Sequence, residues 1–268
     1  MKRMKAALLF LSLGAGAGMG CATTYDPYYY DTVYYDPYYG AYDAAWAYTW
    51  VDPVYGYWYY AIGNVQAMAT VDPNTAASQL AANAATAFTP AGCVTATATG
   101  ATVNYAFNNC TAPVSLTQIS GNVELVLSDN QGQLAATATS NQLTINGEPY
   151  NLSLQIAGQP PDGDTRKVTV TSNSFSPNRF DSRTSQSTVT WTGGSGCITV
   201  DSTTQATKGG LNSTSTVSGY QRCDHQCPTA GMVQVDTTEG TFTTTFDGTN
   251  TARVTAPNDE IKTFNIDC

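Results

Sequence analysis

The sequence predicts an all-β protein: an antiparallel sandwich or roll of about twelve short strands, bonded by disulfides, with one short N-terminal helix. Three observations predict this class. Apolar and polar residues alternate in short runs from Cys93 onward, which is the period of a strand with one buried face. Turn pairs such as Asn146-Gly147 and Asp247-Gly248 separate the runs. Thr accounts for 41 of the 268 residues, and its β-branched side chain suits the exposed face of a pleated sheet.

The first 21 residues have the layout of a secretory signal. A basic start, residues 1–5, precedes an apolar run, and small residues then lead to Cys21. As a helix, the uncharged stretch 6–20 would span about 22 Å at 1.5 Å per residue, which is less than the ~30 Å hydrocarbon core of a bilayer. We therefore interpret residues 1–21 as a signal peptide rather than a permanent membrane span.

The junction Gly18-Met19-Gly20-Cys21 resembles the lipobox of bacterial lipoproteins. This resemblance implies cleavage before Cys21, acylation of its thiol and anchoring in the membrane by lipid. Ala22, rather than Asp, follows the cysteine, and by the same resemblance this favours the outer membrane of a Gram-negative-type envelope. Cysteine parity agrees, because the chain has seven cysteines and lipid on Cys21 leaves an even number to pair. The alternative is an ordinary secreted protein.

Residues 22–60 form a compositionally separate segment, which we call the tyrosine-rich tether. It holds 14 of the 17 Tyr, five Asp and no Lys or Arg, and Tyr25-Asp26-Pro27-Tyr28-Tyr29 recurs ten residues later. Such low-complexity, Pro-interrupted sequence is typical of an extended linker. Its flat aromatic side chains are suited to contact glycans, envelope proteins or membrane headgroups, and the alternative is a spacer with no binding role. The candidate interaction residues are Tyr28, Tyr29, Tyr38, Tyr39, Trp46, Trp50 and Trp58.

Residues 61–92 predict a helical lead-in to the strands. Asp72 is suited to cap a helix and Pro73 to occupy its first position. Apolar residues then follow at helical spacing, and Pro90 and Gly92 end the pattern. Because this face is rich in Ala, we expect it to lie against the sheet. The residues of the apolar face are Ala77, Leu80, Ala81, Ala84 and Phe88.

The strands divide into a β-region at 93–194 and a Cys-rich β-region at 195–268, which are either separate or parts of one domain. Gly193-Gly194-Ser195-Gly196 lies at their junction, as a linker or a hairpin turn. We expect Thr to occupy the solvent-exposed face of the strands. The alternating runs are 94–99, 102–107, 123–127, 143–145, 152–156, 168–171, 189–192, 198–201, 232–236, 242–246, 252–255 and 261–266.

Hairpin geometry predicts which cysteines pair. Cys93 and Cys110 flank Gly100 symmetrically, and Cys197 and Cys223 flank Gly209-Gly210, so each pair would close the open end of a hairpin. These two pairings leave Cys227 to bond with Cys268. The alternative is a local Cys223–Cys227 bridge, which leaves Cys197 to bond with Cys268.

Two clusters have residue types that bind metals, but we predict no metal at either. Cys223, His225 and Cys227 offer one Cys/His group where structural zinc usually needs two, and an oxidising compartment favours cystine. Asp162-Gly163-Asp164 offers two carboxylates, too few for the 6–8 oxygens of calcium, and therefore indicates a turn.

Charge and composition exclude several function classes. The net charge is -9, and without residues 1–21, which hold Lys2, Arg3 and Lys5, eight basic residues face 20 acidic ones and the charge is -12. Such a chain lacks the basic surface of a nucleic-acid binder. With one His and four Glu, it offers few groups for acid-base chemistry, so we predict no catalytic residue and no cofactor.

The function expected from these observations is that of a non-enzymatic envelope lipoprotein with a structural, adhesive or interaction role at the cell surface or in the periplasm. Its expected partners are the membrane, through the lipid anchor, and glycans or envelope proteins. One alternative is a glycan- or ligand-binding module that uses the tyrosine-rich tether. A second alternative is a secreted hydrolase.

Overall fold

The computed structural model describes residues 72–111, 118–160, 162–177, 180–193, 195–223, 226–238 and 240–266. Within these residues the chain forms one helix followed by 13 strands, so the predicted all-β class with one helix is confirmed. The helix α1 spans Pro73–Ala87. The strands are β1 (Val94–Thr99), β2 (Thr102–Thr111), β3 (Gln118–Asn130), β4 (Gln133–Ile145), β5 (Glu148–Gly158), β6 (Thr165–Ser176), β7 (Phe180–Thr192), β8 (Cys197–Lys208), β9 (Leu211–Cys223), β10 (Ala230–Thr237), β11 (Gly240–Phe246), β12 (Thr251–Thr255) and β13 (Ile261–Asn265).

All 13 strands belong to one antiparallel sheet, and each strand pairs with its neighbours in the sequence. This order, β1 to β13, is a meander, and strand pairing alone does not confirm the predicted sandwich or roll. Pairing is continuous from β7 to β8, where Val189 lies opposite Val200. The predicted β-regions 93–194 and 195–268 therefore share one sheet.

Most strands are longer than predicted, because strand pairing continues through polar sequence. Strands β2 to β9 each have 10 to 13 residues. For β6, for example, alternation predicts only 168–171, and the strand spans Thr165–Ser176. Strand β9 is absent from the predicted alternating runs, because Val217 and Tyr220 are its only buried apolar residues.

The tight turns form where the sequence predicts them. Asn146 and Gly147 have φ of 52° and 82°, and Gly209 and Gly210 have φ of 56° and 83°. Two consecutive residues in this left-handed region are the requirement of the two-residue hairpin turn whose twist matches the flanking strands. Glycine adopts this conformation at little cost, which explains why these residue pairs stand between strands.

The helix α1 begins at its predicted cap. The Thr75 backbone N–H donates to the Asp72 carboxylate at 3.0 Å, and Pro73 occupies the first turn, where no intrahelical donor is needed. The helix packs on β1, β2 and β3, as expected from its small apolar face. Phe88 lies just after the helix end and is buried, with its ring 5.1 Å from that of Phe107 on β2.

Alternate residues of the strands form one buried face, which we call the inner face. One row across seven strands illustrates it: every member is buried and each lies opposite the next in the strand register. Most members of the inner face are apolar, and burial of such side chains provides the main driving force for folding. The row consists of Val170, Ser187, Ser202, Val217, Val233, Thr244 and Val254.

Candidate functional site

The inner face contains an unusual concentration of buried hydroxyl groups on β6, β7 and β8, which we call the serine band. Its members are no more than 8% exposed. Polar groups in such a position are unfavourable unless they form hydrogen bonds. The serine band consists of Ser172, Ser174, Ser176, Ser185, Ser187, Ser202 and Thr204.

Part of the serine band satisfies its own hydrogen bonds across the strands. Ser172 on β6 lies opposite Ser185 on β7, and their hydroxyls share a short hydrogen bond. The hydroxyls of Ser187 and Ser202 lie 2.8 Å apart, and Ser202 also lies within 3.3 Å of the Gln186 carbonyl. These pairs are compatible with a dry, packed interior and do not require a ligand.

The other part of the serine band surrounds a buried cation. Arg183 on β7 is 7% exposed and lies opposite Ser174 on β6. Its Nη1 has no hydrogen-bond partner, and neither do the Oγ atoms of Ser174 and Ser176. An Arg side chain stays protonated in proteins, so this site carries a positive charge.

The neighbours of Arg183 on the inner face are both polar and apolar. The strand register aligns Leu152, Ser174, Arg183 and Ala206 in one row across β5 to β8. At the adjacent end of the sheet, the rings of Tyr150 and Phe180 meet edge to face at 5.8 Å. The site thus combines one guanidinium and two unpartnered hydroxyls with apolar side chains at the Tyr150–Phe180 end, and the hydroxyls of Ser185 and Thr204 form the next row on its other side.

The nearest acidic residue in the sequence does not neutralise Arg183. Asp181 on β7 is exposed, and it accepts from the Gly209 N–H at 2.7 Å and lies 4.0 Å from Lys208 Nζ. Arg222, which is also buried among the described residues, differs from Arg183, because its Nε donates to the Gln226 carbonyl at 2.9 Å.

Two of the predicted disulfides are present. Cys93 and Cys110 are bonded with Cα atoms 5.4 Å apart, and Cys197 and Cys223 are bonded across β8 and β9 with Cα atoms 3.9 Å apart. The alternative Cys223–Cys227 bridge is therefore wrong. Cys227 is also disulfide-bonded. Its predicted partner, Cys268, lies outside the described residues.

Several predicted site residues lie outside the described part of the chain. They include the candidate lipidation site and all candidate interaction residues of the tyrosine-rich tether, as well as His225 of the weighed metal cluster. The tether and anchor predictions therefore remain predictions. These residues are Cys21, Tyr28, Tyr29, Tyr38, Tyr39, Trp46, Trp50 and Trp58.

The Asp162-Gly163-Asp164 segment forms the predicted turn. Asp162 and Thr165 exchange backbone hydrogen bonds of 3.1 and 2.9 Å, and Arg166 donates to the Gly163 carbonyl at 2.8 Å. In the residues that the structure describes, no group of three or more His, Cys, Asp or Glu could hold a metal ion. Among the same residues, no helix combines the length and apolar character needed to span a membrane.

Sequence analysis missed the serine band because Ser resembles a loop residue when it is taken alone. The position of these serines in the alternating pattern could have predicted their burial. Ser172, Ser174 and Ser176 continue the alternation of Val168 and Val170 on the same face of β6. No protein-family model, curated protein or solved structure matches this chain. The assignment of a site therefore depends on the geometry of its own residues.

Proposed function

We propose that this chain is an exported, non-enzymatic envelope lipoprotein, anchored through Cys21 in the outer membrane. Its β-domain serves a structural, adhesive or interaction role at the cell surface or in the periplasm. The observation that carries this proposal is the oxidation state of the cysteines. All five described cysteines, Cys93, Cys110, Cys197, Cys223 and Cys227, are disulfide-bonded, and such bonds persist in oxidising compartments outside the cytosol.

Cysteine counting connects the disulfides to the anchor. Because the other four described cysteines pair among themselves, Cys227 has only Cys21 and Cys268 left as partners within the chain. Lipid on the Cys21 thiol would remove that group from disulfide chemistry. The proposal therefore requires a Cys227–Cys268 bond, and peptide mapping of the non-reduced protein should find it.

Metabolic labelling with an alkyne fatty acid tests the anchor directly. We expect the wild type to carry label and to partition with outer membranes. Cys21→Ala should lose the label, and the matched control Cys268→Ser should keep it, because Cys268 is not part of the lipobox-like sequence. An unlabelled wild type, or a Cys21→Ala variant that keeps its label, would contradict the proposal.

The second candidate function is glycan binding by the tyrosine-rich tether. Its support is the composition of residues 22–60, with 14 Tyr, three Trp and no basic residue, since flat aromatic side chains stack well on sugar rings. A glycan array with the full chain and with a chain lacking residues 22–60 tests this candidate. Binding should disappear with the deletion, and equal binding by both proteins refutes a tether-borne site.

A further inference from the structure

We propose that Arg183, Ser174 and Ser176 bind the carboxylate of a small amphipathic ligand on the inner face of the sheet. This inference goes beyond the envelope role proposed above and does not depend on the lipid anchor. It starts from three buried polar groups that share one end of the serine band and have unpartnered atoms. The chemistry of these groups defines the head of the ligand, and their neighbours define its tail.

The charge of Arg183 requires a counter-charge. A guanidinium does not lose its proton in a protein, so burial cannot be relieved by neutralisation as it can for Lys or His. A buried, unpaired cation is strongly unfavourable. Asp181, the nearest carboxylate in the sequence, is exposed and has partners of its own. None of the described residues forms an ion pair with Arg183, so a bound anion would supply the missing negative charge.

The hydroxyls of Ser174 and Ser176 complete a site for an oxyanion. Both Oγ atoms are buried without partners, and each hydroxyl is able to donate to a carboxylate oxygen. Ser174 lies directly opposite Arg183, and Ser176 lies one inner-face position further along β6. Guanidinium and hydroxyl donors on one carboxylate would form charge-assisted hydrogen bonds, which are stronger than neutral ones.

The surroundings favour a ligand with an apolar tail over a free inorganic ion. Leu152 and Ala206 lie in the same row as Arg183, and Phe180 lies opposite Ser176, away from the rest of the serine band. Phe180 is 7% exposed. A single positive charge matches a monoanion, and apolar walls add favourable burial for a hydrocarbon tail.

Thermal unfolding of the full chain with sodium decanoate tests the site, with 1-decanol as the uncharged control and inorganic phosphate as the tail-free anion. We expect decanoate at 100 times its Kd to raise the Tm by about 5 °C or more. At equal concentration, decanol and phosphate should each raise the Tm by less than decanoate does. No Tm shift of the wild type with decanoate overturns the proposal, and a shift with phosphate alone overturns the apolar tail.

Two variants separate a binding role from a structural one. Arg183→Met should abolish the decanoate shift and leave the ligand-free protein at least as stable as the wild type, because it removes an unpaired buried charge. The matched control is Arg253→Met on the exposed side of β12, which should keep the full shift. An unchanged decanoate shift in Arg183→Met, or a ligand-free Tm well below that of the wild type, would contradict the proposal.

A second test does not depend on whether Arg183→Met folds. It uses Ser174→Ala, which removes one hydrogen-bond donor and leaves the positive charge in place, and it measures decanoate binding by calorimetric titration. We expect this variant to weaken decanoate binding by about tenfold, the equivalent of one hydrogen bond. Ser187→Ala, elsewhere in the serine band, should change the Kd by less than about twofold. Equal effects of the two substitutions would show that the head of the ligand does not lie at Ser174.

Discussion

Gly121 shows how a single residue fixes the path of the chain. It lies at an irregularity in the pairing of β3 with β4, with φ of 106°, a conformation that L side chains rarely adopt. A Cβ at this position would collide with the Gln142 carbonyl and lie 2.8 Å from the Leu143 Cα. These neighbours are backbone atoms, so they cannot move aside as a flexible side chain does.

We expect Gly121→Ala to destabilise the protein by at least about 2 kcal/mol more than Gly132→Ala. Gly132 also has a positive φ, 80°, but no atom lies within 4 Å of its would-be Cβ. The control therefore shares the backbone strain and lacks the collision. Chemical denaturation of both variants measures the difference, and equal free energies of unfolding would refute the close approach.

The turn after β11 lowers the pKa of the Asp247 side chain. Hydrogen bonds from the Thr249 hydroxyl, at 2.6 Å, and from its backbone N–H, at 3.1 Å, lower the pKa of the Asp247 carboxyl below its ordinary value. Because the folded-state pKa is lowered, this carboxylate contributes stability above its unfolded pKa. The contribution is lost as the pH falls through the folded-state pKa.

We expect Thr249→Ala to raise the pKa of Asp247 towards its ordinary value, since the variant loses the side-chain hydrogen bond and keeps only those from backbone N–H groups. An NMR titration of the Asp247 carboxyl carbon measures this shift. Thr263→Ala, at an exposed position on β13, should leave the pKa unchanged. An Asp247 pKa that is the same in wild type and Thr249→Ala would show that the hydroxyl has no such effect.

At the scale of elements, the helix α1 depends on its cap more than on its interior. The Asp72 carboxylate accepts from the Thr75 N–H at 3.0 Å, and no acidic residue adds support in the first turn. Asp72→Ala should therefore lower the free energy of unfolding by about 1 kcal/mol. Ser78→Ala, at an exposed mid-helix position, should change it by less than about 0.5 kcal/mol. Denaturant midpoints compare the two, and equal losses would contradict the capping role.

The disulfides act on individual hairpins. Cys197–Cys223 spans 26 residues and joins the far ends of β8 and β9. Replacing both cysteines by Ser should cost about 3 kcal/mol, because the unfolded chain regains the freedom that the closed loop had removed. Chemical denaturation of the double variant measures this loss. A single Cys227→Ser variant should leave the Cys197–Cys223 bond intact on a peptide map; a scrambled map would contradict the independence of the two bonds.

Turns that require particular residue types could be predicted from the sequence, and strands with few apolar residues could not. The Asn146-Gly147 and Gly209-Gly210 turns require backbone conformations that few residues adopt, so the sequence marks them directly. Strand β9 has few apolar residues, and its burial is decided by neighbouring strands. The same limit applies to Arg183: the sequence shows a cation between Ser and Thr, and only the register places it on the inner face.

At the scale of the whole molecule, the predicted all-β class is confirmed, and the predicted sandwich or roll stays a prediction. Alternation predicts that one face of each strand is buried, but it does not specify how many sheets the strands form. The pairing of every strand with its sequence neighbours depends on short turns along the chain, and it yields one sheet. Thr was expected on the exposed face, yet Thr204 and Thr244 are buried, because register overrides the preference of a residue type.

The meander order has a consequence for how the domain is made. A chain that is synthesised N-terminus first needs no distant partner for any of the described strands, because each new strand adds to the edge left by the previous one. The cysteines of the two described bonds are 17 and 26 residues apart, so both members of a pair emerge close together in time. The topology therefore allows such a sheet to grow stepwise from α1 towards β13, with one free edge at each stage.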